Sequence, residues 1–220
     1  MKLDLHIHST YSRDGTAAPK DILKFSKKIG LDGFAITDHN AIDGAIETFS
    51  MGASEGLLVV RAVEVSAVEG HVLAYGVKEI VPKGLSVAET IEKIHELGGV
   101  AVAAHPKRFP SGVGLDVART EKFDAIEVLN GGSSRRSNVA AKRIAEARSL
   151  PVVGGSDAHE IKQVGKCYTV VEGVASEDDV LEAIRRGRTS LGGRSRSPSE
   201  GVRYSVETLI EWLKGDLRRL

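Results

Sequence analysis

The sequence predicts an α/β chain closed into a barrel of roughly seven strand–helix units, one short of the regular eightfold form. Three observations predict it. Short apolar runs rich in Val, Ile and Ala alternate with longer segments of helical period up to about residue 188. That rhythm belongs to parallel strands joined by crossover helices. Six of the seven histidines stand at an end of a predicted strand, and three of those strand ends also carry an acid. In such a barrel the strand C-termini share one face, where chemistry is carried out. The 220 residues suit one large domain, and no internal repeat or linker divides them.

Each element has a local reason. The chain opens on a strand over 2–8. A helix over 19–29 starts at Pro19, which suits a first helical turn, and stops before Gly30. A strand over 33–39 and a helix over 42–54 follow. The apolar runs 59–66 and 71–76 are strands, the second opened rather than closed by its His71. The helix over 87–97 has Ser86 as N-cap and Gly98-Gly99 as its stop, with Val87, Ile91, Ile94 and Leu97 on one stripe. Strands over 99–105 and 125–130 lead to a helix over 137–148 that stops before Pro151. Strands over 152–159 and 166–171 and a helix over 176–186 complete the alternation. Ser176 caps that helix, and acids fill its first turn. Residues 185–201 are rich in Gly, Ser and Arg and read as a surface loop. A last helix places Val206, Leu209, Ile210, Leu213 and Leu217 on one stripe. The expected division is a barrel over 1–190 and a loop and helix over 191–220 docked on its wall.

Composition narrows the function classes. Hydrophobic residues at 41% and charged residues at 27% are an ordinary balance for a buried core. Lys+Arg and Asp+Glu are both 30, so no net field attracts nucleic acid or an anionic membrane. Aromatics at 5% offer few platforms for stacked bases. These values favour a small-molecule partner over stable nucleic-acid or membrane binding. The lone Cys167 excludes an internal disulfide and reads as a small buried apolar residue. A start directly on a strand, with no leader and no spanning apolar run, makes a cytoplasmic location the expectation.

Strand ends supply the candidate ligands. His6 and His8 are two apart on a strand, so both imidazoles share a face, while Leu3, Leu5 and Ile7 occupy the other phase. Two core-facing histidines are the bland alternative, but alternation would place Leu or Val there. Asp14-Gly15 is by itself an ordinary turn. His39, in Thr37-Asp38-His39, could cap a helix. Glu64 interrupts an apolar strand, where an unpaired buried carboxylate costs several kcal/mol, so it faces either solvent or a cation. His71 could be a solvated edge histidine, and His105-Pro106 could merely end a strand. Asp157 and His159 repeat the two-residue spacing after two glycines that permit close backbone approach. Jointly, imidazoles and carboxylates at one barrel edge are the donor set of Zn, Mn or Fe. His95 lies apart, inside a helix.

The motifs Asp4-Leu5-His6-x-His8 through Asp14-Gly15, Thr37-Asp38-His39, Glu64-Val65-Ser66 with His71, Ala104-His105-Pro106 and Gly155-Ser156-Asp157-Ala158-His159 together resemble the PHP (polymerase and histidinol phosphatase) superfamily from residue 2 to about 190. The resemblance implies a distorted (β/α)7 TIM-like barrel, two or three divalent metal ions and phosphate-ester hydrolysis. It also implies a division of ligands: His6, His8, Glu64 and Asp157 on a first ion, Asp14, His39 and His159 on a second, and Glu64 bridging to a third held by His71 and His105. A metal-bound hydroxide would attack phosphorus in line. Arg108 fits the family's His-Pro-x-Arg pattern as the phosphate contact. Lys107 and Arg135 or Arg136, in the loop after the strand 125–130, come next, and Arg194 and Arg196 could reach over from the C-terminal loop. His159 or Asp38 is the candidate acid/base. The expected function is a small-molecule phosphatase or phosphodiesterase, with nucleotide-type substrates favoured. A histidinol-phosphate phosphatase and a polymerase-associated or nuclease-like module are the alternatives.

Overall fold

The alternation read from the sequence folds into a single curled sheet. The computed structural model describes residues 1–197, 199 and 200; the stripe from Val206 to Leu217 lies outside the described residues. In chain order the elements are β1 (Lys2–Ile7), α1 (Pro19–Lys28), β2 (Gly33–Ile36), α2 (Asp43–Glu55), β3 (Leu58–Ser66) and β4 (His71–Tyr75). Next come α3 (Val87–Glu96), β5 (Val100–Ala103), α4 (Leu115–Thr120), β6 (Ala125–Asn130) and α5 (Arg135–Arg148). The series closes with β7 (Val152–Gly155), β8 (Cys167–Val171), α6 (Glu177–Arg185) and β9 (Thr189–Gly193). The sheet order is β7-β6-β5-β4-β3-β2-β1-β8-β9.

Strands β1, β2 and β3 are mutually parallel, as are β5, β6 and β7. Strand β4 runs antiparallel to both its neighbours, β3 and β5. This reversal explains His71. It opens its strand, yet the pairing Ser66↔His71 sets it beside the C-terminal end of β3. The one exception to the pattern of closing histidines thus reaches the same edge as the rest.

The sheet closes on itself where β7 meets β1. The Asp157 amide donates to the His6 carbonyl at 2.7 Å, and the His8 amide donates to the Ala158 carbonyl at 2.8 Å. Lower down, Thr169 of β8 takes over, its hydroxyl bonding the Gly154 amide and carbonyl at 2.9 and 2.8 Å. Leu3, Leu5, Val60, Ala62, Leu73, Tyr75, Val100 and Val102 fill the lumen, with Val180, Leu181 and Ile184 of α6 packed against them. Tyr75 is fully buried, and its hydroxyl donates to the Leu5 carbonyl at 3.0 Å, which satisfies the one polar atom it brings inside.

Strict alternation along β1 places Leu3, Leu5 and Ile7 together; the fold separates them. The register against β2 slips by one residue between Asp4 and Ile7. Leu3 and Leu5 join the lumen cluster, and Ile7 joins the cluster outside the sheet with Phe34 and Ile36. This bulge exchanges the phases, so the lumen continues from leucines below to His6 and His8 above.

Several elements differ from the sequence expectation, among them α4, which has no counterpart there. Strands β2, β5 and β7 stop early, and His39, His105, Asp157 and His159 stand in the loops just past them. Helix α5 begins at Arg135, capped by Ser134, so Arg135 sits in a helical turn and not in a loop. Thr189–Gly193, expected as loop, forms β9 against β8. Its glycines disguised it: a Cβ on Gly193 would lie 2.1 Å from the Lys166 carbonyl oxygen. The caps expected at Ser86 and Ser176 are present, each as a reciprocal capping box with Glu89 and Asp179. Among the described residues no helix is long and apolar enough to cross a membrane.

Candidate metal centre

Glu64 is the hub of the barrel's upper edge. It is fully buried in β3, and its two oxygens face different groups. Oε1 is 3.0 Å from His71 Nδ1 and 3.0 Å from His105 Nε2. Oε2 is 3.3 Å from His6, 3.2 Å from His8 and 3.4 Å from His39. Of the two alternatives its sequence context left open, exposure to solvent is excluded: the carboxylate is buried among imidazoles.

Around this hub the nine candidate side chains form four overlapping sets, each compact enough to surround one ion. The sets are His6, His8 and Asp157; His6, Glu64 and His105; His39, Glu64 and His71; and His8, Asp14, His39 and His159. These sets cut across the division implied by the family resemblance. His8 also joins the Asp14 set, His39 joins Glu64 and His71, His105 groups with His6 and Glu64 and not with His71, and Glu64 stands outside the set of His6, His8 and Asp157. The side chains of His6, His8, Glu64 and Asp157 are closed off from solvent, whereas those of Asp14, His39, His71 and His159 are partly open. The cluster thus has a buried floor and an open mouth.

Backbone geometry aims these side chains. His105 and Asp157 hold left-handed φ values of 27° and 53°, a costly conformation for non-glycine residues that recurs at functional sites. Gly155 permits the closure between β7 and β1, since a Cβ there would lie 2.4 Å from His6 Cβ. The expectation of close approach at this glycine holds.

A second layer was not read from the sequence. Glu127 of β6 accepts from His6 Nδ1 at 2.9 Å, from the His105 amide at 2.9 Å and from Asn130 Nδ2 at 3.0 Å. This bond fixes His6 with Nε2 turned to the centre. Ser12 contacts His8 Nδ1 at 3.3 Å and receives the His39 amide at 2.7 Å. Asp4 receives amides of Ser156 and Gly165 at 2.8 and 2.7 Å, tying β1 to the loops beyond β7. The signal for Glu127 was available: like Glu64, it is an acid in an apolar strand, buried with 1% exposure.

Electrostatically the carboxylates and imidazoles of the cluster shift one another. Burial alone would push His8 down, but the Asp157 and Glu64 carboxylates override it and raise the imidazole to about 9. Burial is overridden likewise at His6, where Glu127, Asp157 and Glu64 hold the ring well above its usual range. Burial pushes Glu64 and Asp157 up; imidazoles around Glu64, and Arg108 with His6 beside Asp157, bring both well below the ordinary carboxylate range. His105 is lowered, chiefly by burial. Asp14 Oδ1 and His105 Nδ1 are buried with no hydrogen-bond partner among the described residues. Orphaned donors and acceptors around converging imidazoles and carboxylates fit divalent transition ions.

The expected phosphate contacts are placed as follows. Arg108, partly buried, bonds Asp157 Oδ2 through Nη1, so it props a candidate ligand as well as standing at the site. Lys107 and Arg135 line an adjoining groove. Arg194 is tied to Glu200, and the Arg196 amide is bonded to the Ser133 carbonyl. Asp38 is fully buried, accepting the Ser9 amide and hydroxyl at 2.6 Å each. His95 pairs with Asp124, away from the cluster. Cys167 is buried, its thiol on the Arg194 carbonyl and pushed up to about 12, chiefly by burial.

Residues 4–128 match the PHP domain family, and residues 135–189 match the PHP-associated family. An uncharacterized protein of Methanocaldococcus jannaschii is 45% identical over 116 residues, 48% of this chain and 68% of that one. A phosphoribosyl 1,2-cyclic phosphate 1,2-diphosphodiesterase of Eggerthella lenta is 32% identical over 99 residues, 42% of this chain and 37% of that one. In fold, the chain is similar to a two-domain protein from Bacteroides vulgatus containing a predicted PHP-like metal-dependent phosphoesterase. That match has a TM-score of 0.75 at 19% identity and covers 88% of this chain and 65% of that one.

Proposed function

The chain belongs to the PHP domain family, and from that premise we propose that it is a metal-dependent phosphoesterase acting on small phosphorylated molecules, nucleotides among them. The observation that carries this reading is Glu64, whose two oxygens each meet a separate set of imidazoles. A carboxylate so placed would serve as a ligand in more than one of these sets. His6, His8, Glu64, Asp157, Asp14, His39, His159, His71 and His105 would hold two or three of them, with Zn, Mn or Fe suiting the donors. Bound there, such ions supply Lewis-acid charge for a phosphoryl group and a nucleophile from water near neutral pH.

The protein's own residues do the rest. Glu127 holds His6 Nδ1, which leaves Nε2 as the donor atom. His159 faces the Asp157 carbonyl through Nδ1 and Asp14 through Nε2, each at 3.0 Å, which supports a ligand role beside Asp14 over a role as the acid. Asp38 has both oxygens engaged by Ser9 and orders the loop that carries Ser12. Arg108 presents a guanidinium beside Asp157, where it orients that carboxylate and meets substrate phosphate oxygens. The partly open side chains of Asp14, His39, His71 and His159 mark the side of entry.

The test is metal analysis of protein purified without chelator, with hydrolysis of p-nitrophenyl phosphate and bis-p-nitrophenyl phosphate before and after EDTA. At least two ions per chain and metal-restored hydrolysis are expected. No metal uptake on reconstitution, or full loading with neither ester cleaved, would overturn the reading.

A further inference from the structure

Asn130 closes β6 beside the candidate ligands and is fully buried. Its one amide nitrogen meets two acids. Nδ2 donates to Glu127 Oε2 at 3.0 Å and to Asp157 Oδ2 at 3.2 Å. An amide nitrogen has two hydrogens to give, and both go to buried carboxylates. The amide oxygen, Oδ1, has no hydrogen-bond partner among the described residues. Turning the amide over would set that oxygen against two groups that only accept when ionised, so the neighbours fix which end is the nitrogen. An acceptor left unpaired inside the barrel costs stability, and a leucine of similar volume would bring no such cost. What this position gains from asparagine is the nitrogen.

Each acid divides its two oxygens. Glu127 accepts His6 Nδ1 on Oε1 at 2.9 Å, and takes the His105 amide and Asn130 on Oε2. Asp157 takes Arg108 and Asn130 on Oδ2. Its Oδ1 is turned toward His8, His6 and His159, at 3.4, 3.6 and 3.7 Å. One nitrogen thus sets two directions, that of the His6 ring through Glu127 and that of the Asp157 carboxylate directly. Two acids within reach of one nitrogen also repel each other, and the shared N–H donors offset that repulsion.

The backbone of Asn130 is held as closely as its side chain. Asn138 of α5, itself buried, accepts the Asn130 amide at 3.3 Å and donates to the Asn130 carbonyl at 2.9 Å. Gly132 leaves room for the arrangement: a Cβ there would lie 2.8 Å from Asp157 Oδ2 and 3.2 Å from Asn130 Oδ1.

The reach of Asn130 is selective. Two of the four ligand sets, His6 with His8 and Asp157, and His6 with Glu64 and His105, contain a residue that it holds directly or through Glu127. The other two, His39 with Glu64 and His71, and His8 with Asp14, His39 and His159, contain neither His6 nor Asp157.

We propose that Asn130 is a positioning residue of the metal centre, whose single nitrogen holds Glu127 and Asp157 and so aims His6 and Asp157 at an ion they would share. This rests on the metal-centre part of the proposed function, and the test separates it from the phosphoesterase part.

Full-length wild type, Asn130→Leu and Asn130→Ser are freed of metal and titrated with manganese, with the free ion read by electron paramagnetic resonance. Leucine keeps the volume and has no donor, whereas serine is smaller and has one. Positioning therefore ranks Asn130→Ser above Asn130→Leu in affinity, and packing ranks them the other way. One class of site should weaken about 10- to 100-fold in Asn130→Leu and less in Asn130→Ser, while the other class stays within about threefold. With p-nitrophenyl phosphate, kcat at limiting manganese should fall with occupancy and recover as manganese is raised, and KM should stay within about twofold. Tighter binding by Asn130→Leu than by Asn130→Ser, or all sites weakened alike beside a lowered urea midpoint, would reduce Asn130 to packing. Should Asn130→Leu fail to fold, wild-type affinity in Asn130→Ser overturns the role and a selective loss there supports it. Metal bound alike by wild type and both variants sinks the role of Asn130 and leaves the phosphoesterase reading standing. A selective loss in the variants, beside a loaded wild type that cleaves neither p-nitrophenyl ester, upholds Asn130 and overturns that reading.

Discussion

Glu64 and Glu127 are both buried acids on apolar strands and meet different groups. Glu64 meets imidazoles through both oxygens, whereas Glu127 meets one imidazole and two N–H donors. An outer partner of this kind sets ring orientation and donor strength. Glu127→Gln should therefore lower metal affinity about 10- to 100-fold with the fold retained, read by metal titration beside circular dichroism. Unchanged affinity would mean that packing alone orients His6. His8→Ala and Asp157→Ala should each cut phosphoesterase turnover on the order of a hundredfold or more, since each would remove a proposed metal ligand. Arg108 has two tasks in this geometry, where sequence reasoning gave it one. Arg108→Ala should lower kcat/KM about 30- to 1,000-fold at saturating metal. It should also weaken metal binding, because Asp157 loses its guanidinium partner. Normal metal affinity in that variant would confine Arg108 to substrate.

At the scale of elements, the centre depends on how β7 is brought against β1. Gly155→Ala would press a methyl group to 2.4 Å from His6 Cβ and 2.6 Å from the His6 amide nitrogen. Neither atom belongs to a flexible side-chain tip, so the strands must part. The expected cost is roughly 1–3 kcal/mol in urea unfolding, together with reduced metal content. Helix α6 offers a contrasting case. It packs Val180, Leu181 and Ile184 against the lumen cluster, remote from the ligands, and starts on the Ser176–Asp179 capping box. Ser176→Ala should cost about 1 kcal/mol and leave metal content unchanged. A loss of metal in that variant would show that the floor of the barrel transmits strain to its mouth.

For the whole molecule, the candidate ligands come from β1 and the loop after it, the ends of β2, β3 and β5, the start of β4 and the loop after β7. Ions held there would join segments that are otherwise far apart in the chain. A ligand that binds only the folded state stabilises it by about 4 kcal/mol per site at a thousandfold excess over Kd. The melting temperature should therefore rise on adding manganese to EDTA-treated protein. His95→Ala, which alters only the exposed pair with Asp124, should follow the wild type in both states. A melting temperature insensitive to metal would place the ions outside the folded barrel. Charge at this scale also needs a spatial reading. The balance of 30 and 30 excludes a global field, yet Lys107, Arg135, Arg136 and Arg143 line one groove.

The sequence by itself determined the barrel, because strand and helix periods depend only on the order of apolar residues. It also determined the ligand candidates, because histidines and acids at strand ends break those periods visibly. The caps at Ser86 and Ser176 were legible for the same local reason. Other features were decided only by tertiary structure. The bulge in β1 changes which phase faces inward, and it appears only once β2 fixes the register. The reversal of β4 carries His71 to the common edge. Strand β9 is stabilised by its partner β8 and not by its own composition, and its glycines answer a backbone that approaches from elsewhere. Glu127 and the basic groove needed three-dimensional neighbours, since a hydrogen bond to His6 spans 121 residues and a cluster of cations exists only where separate loops meet.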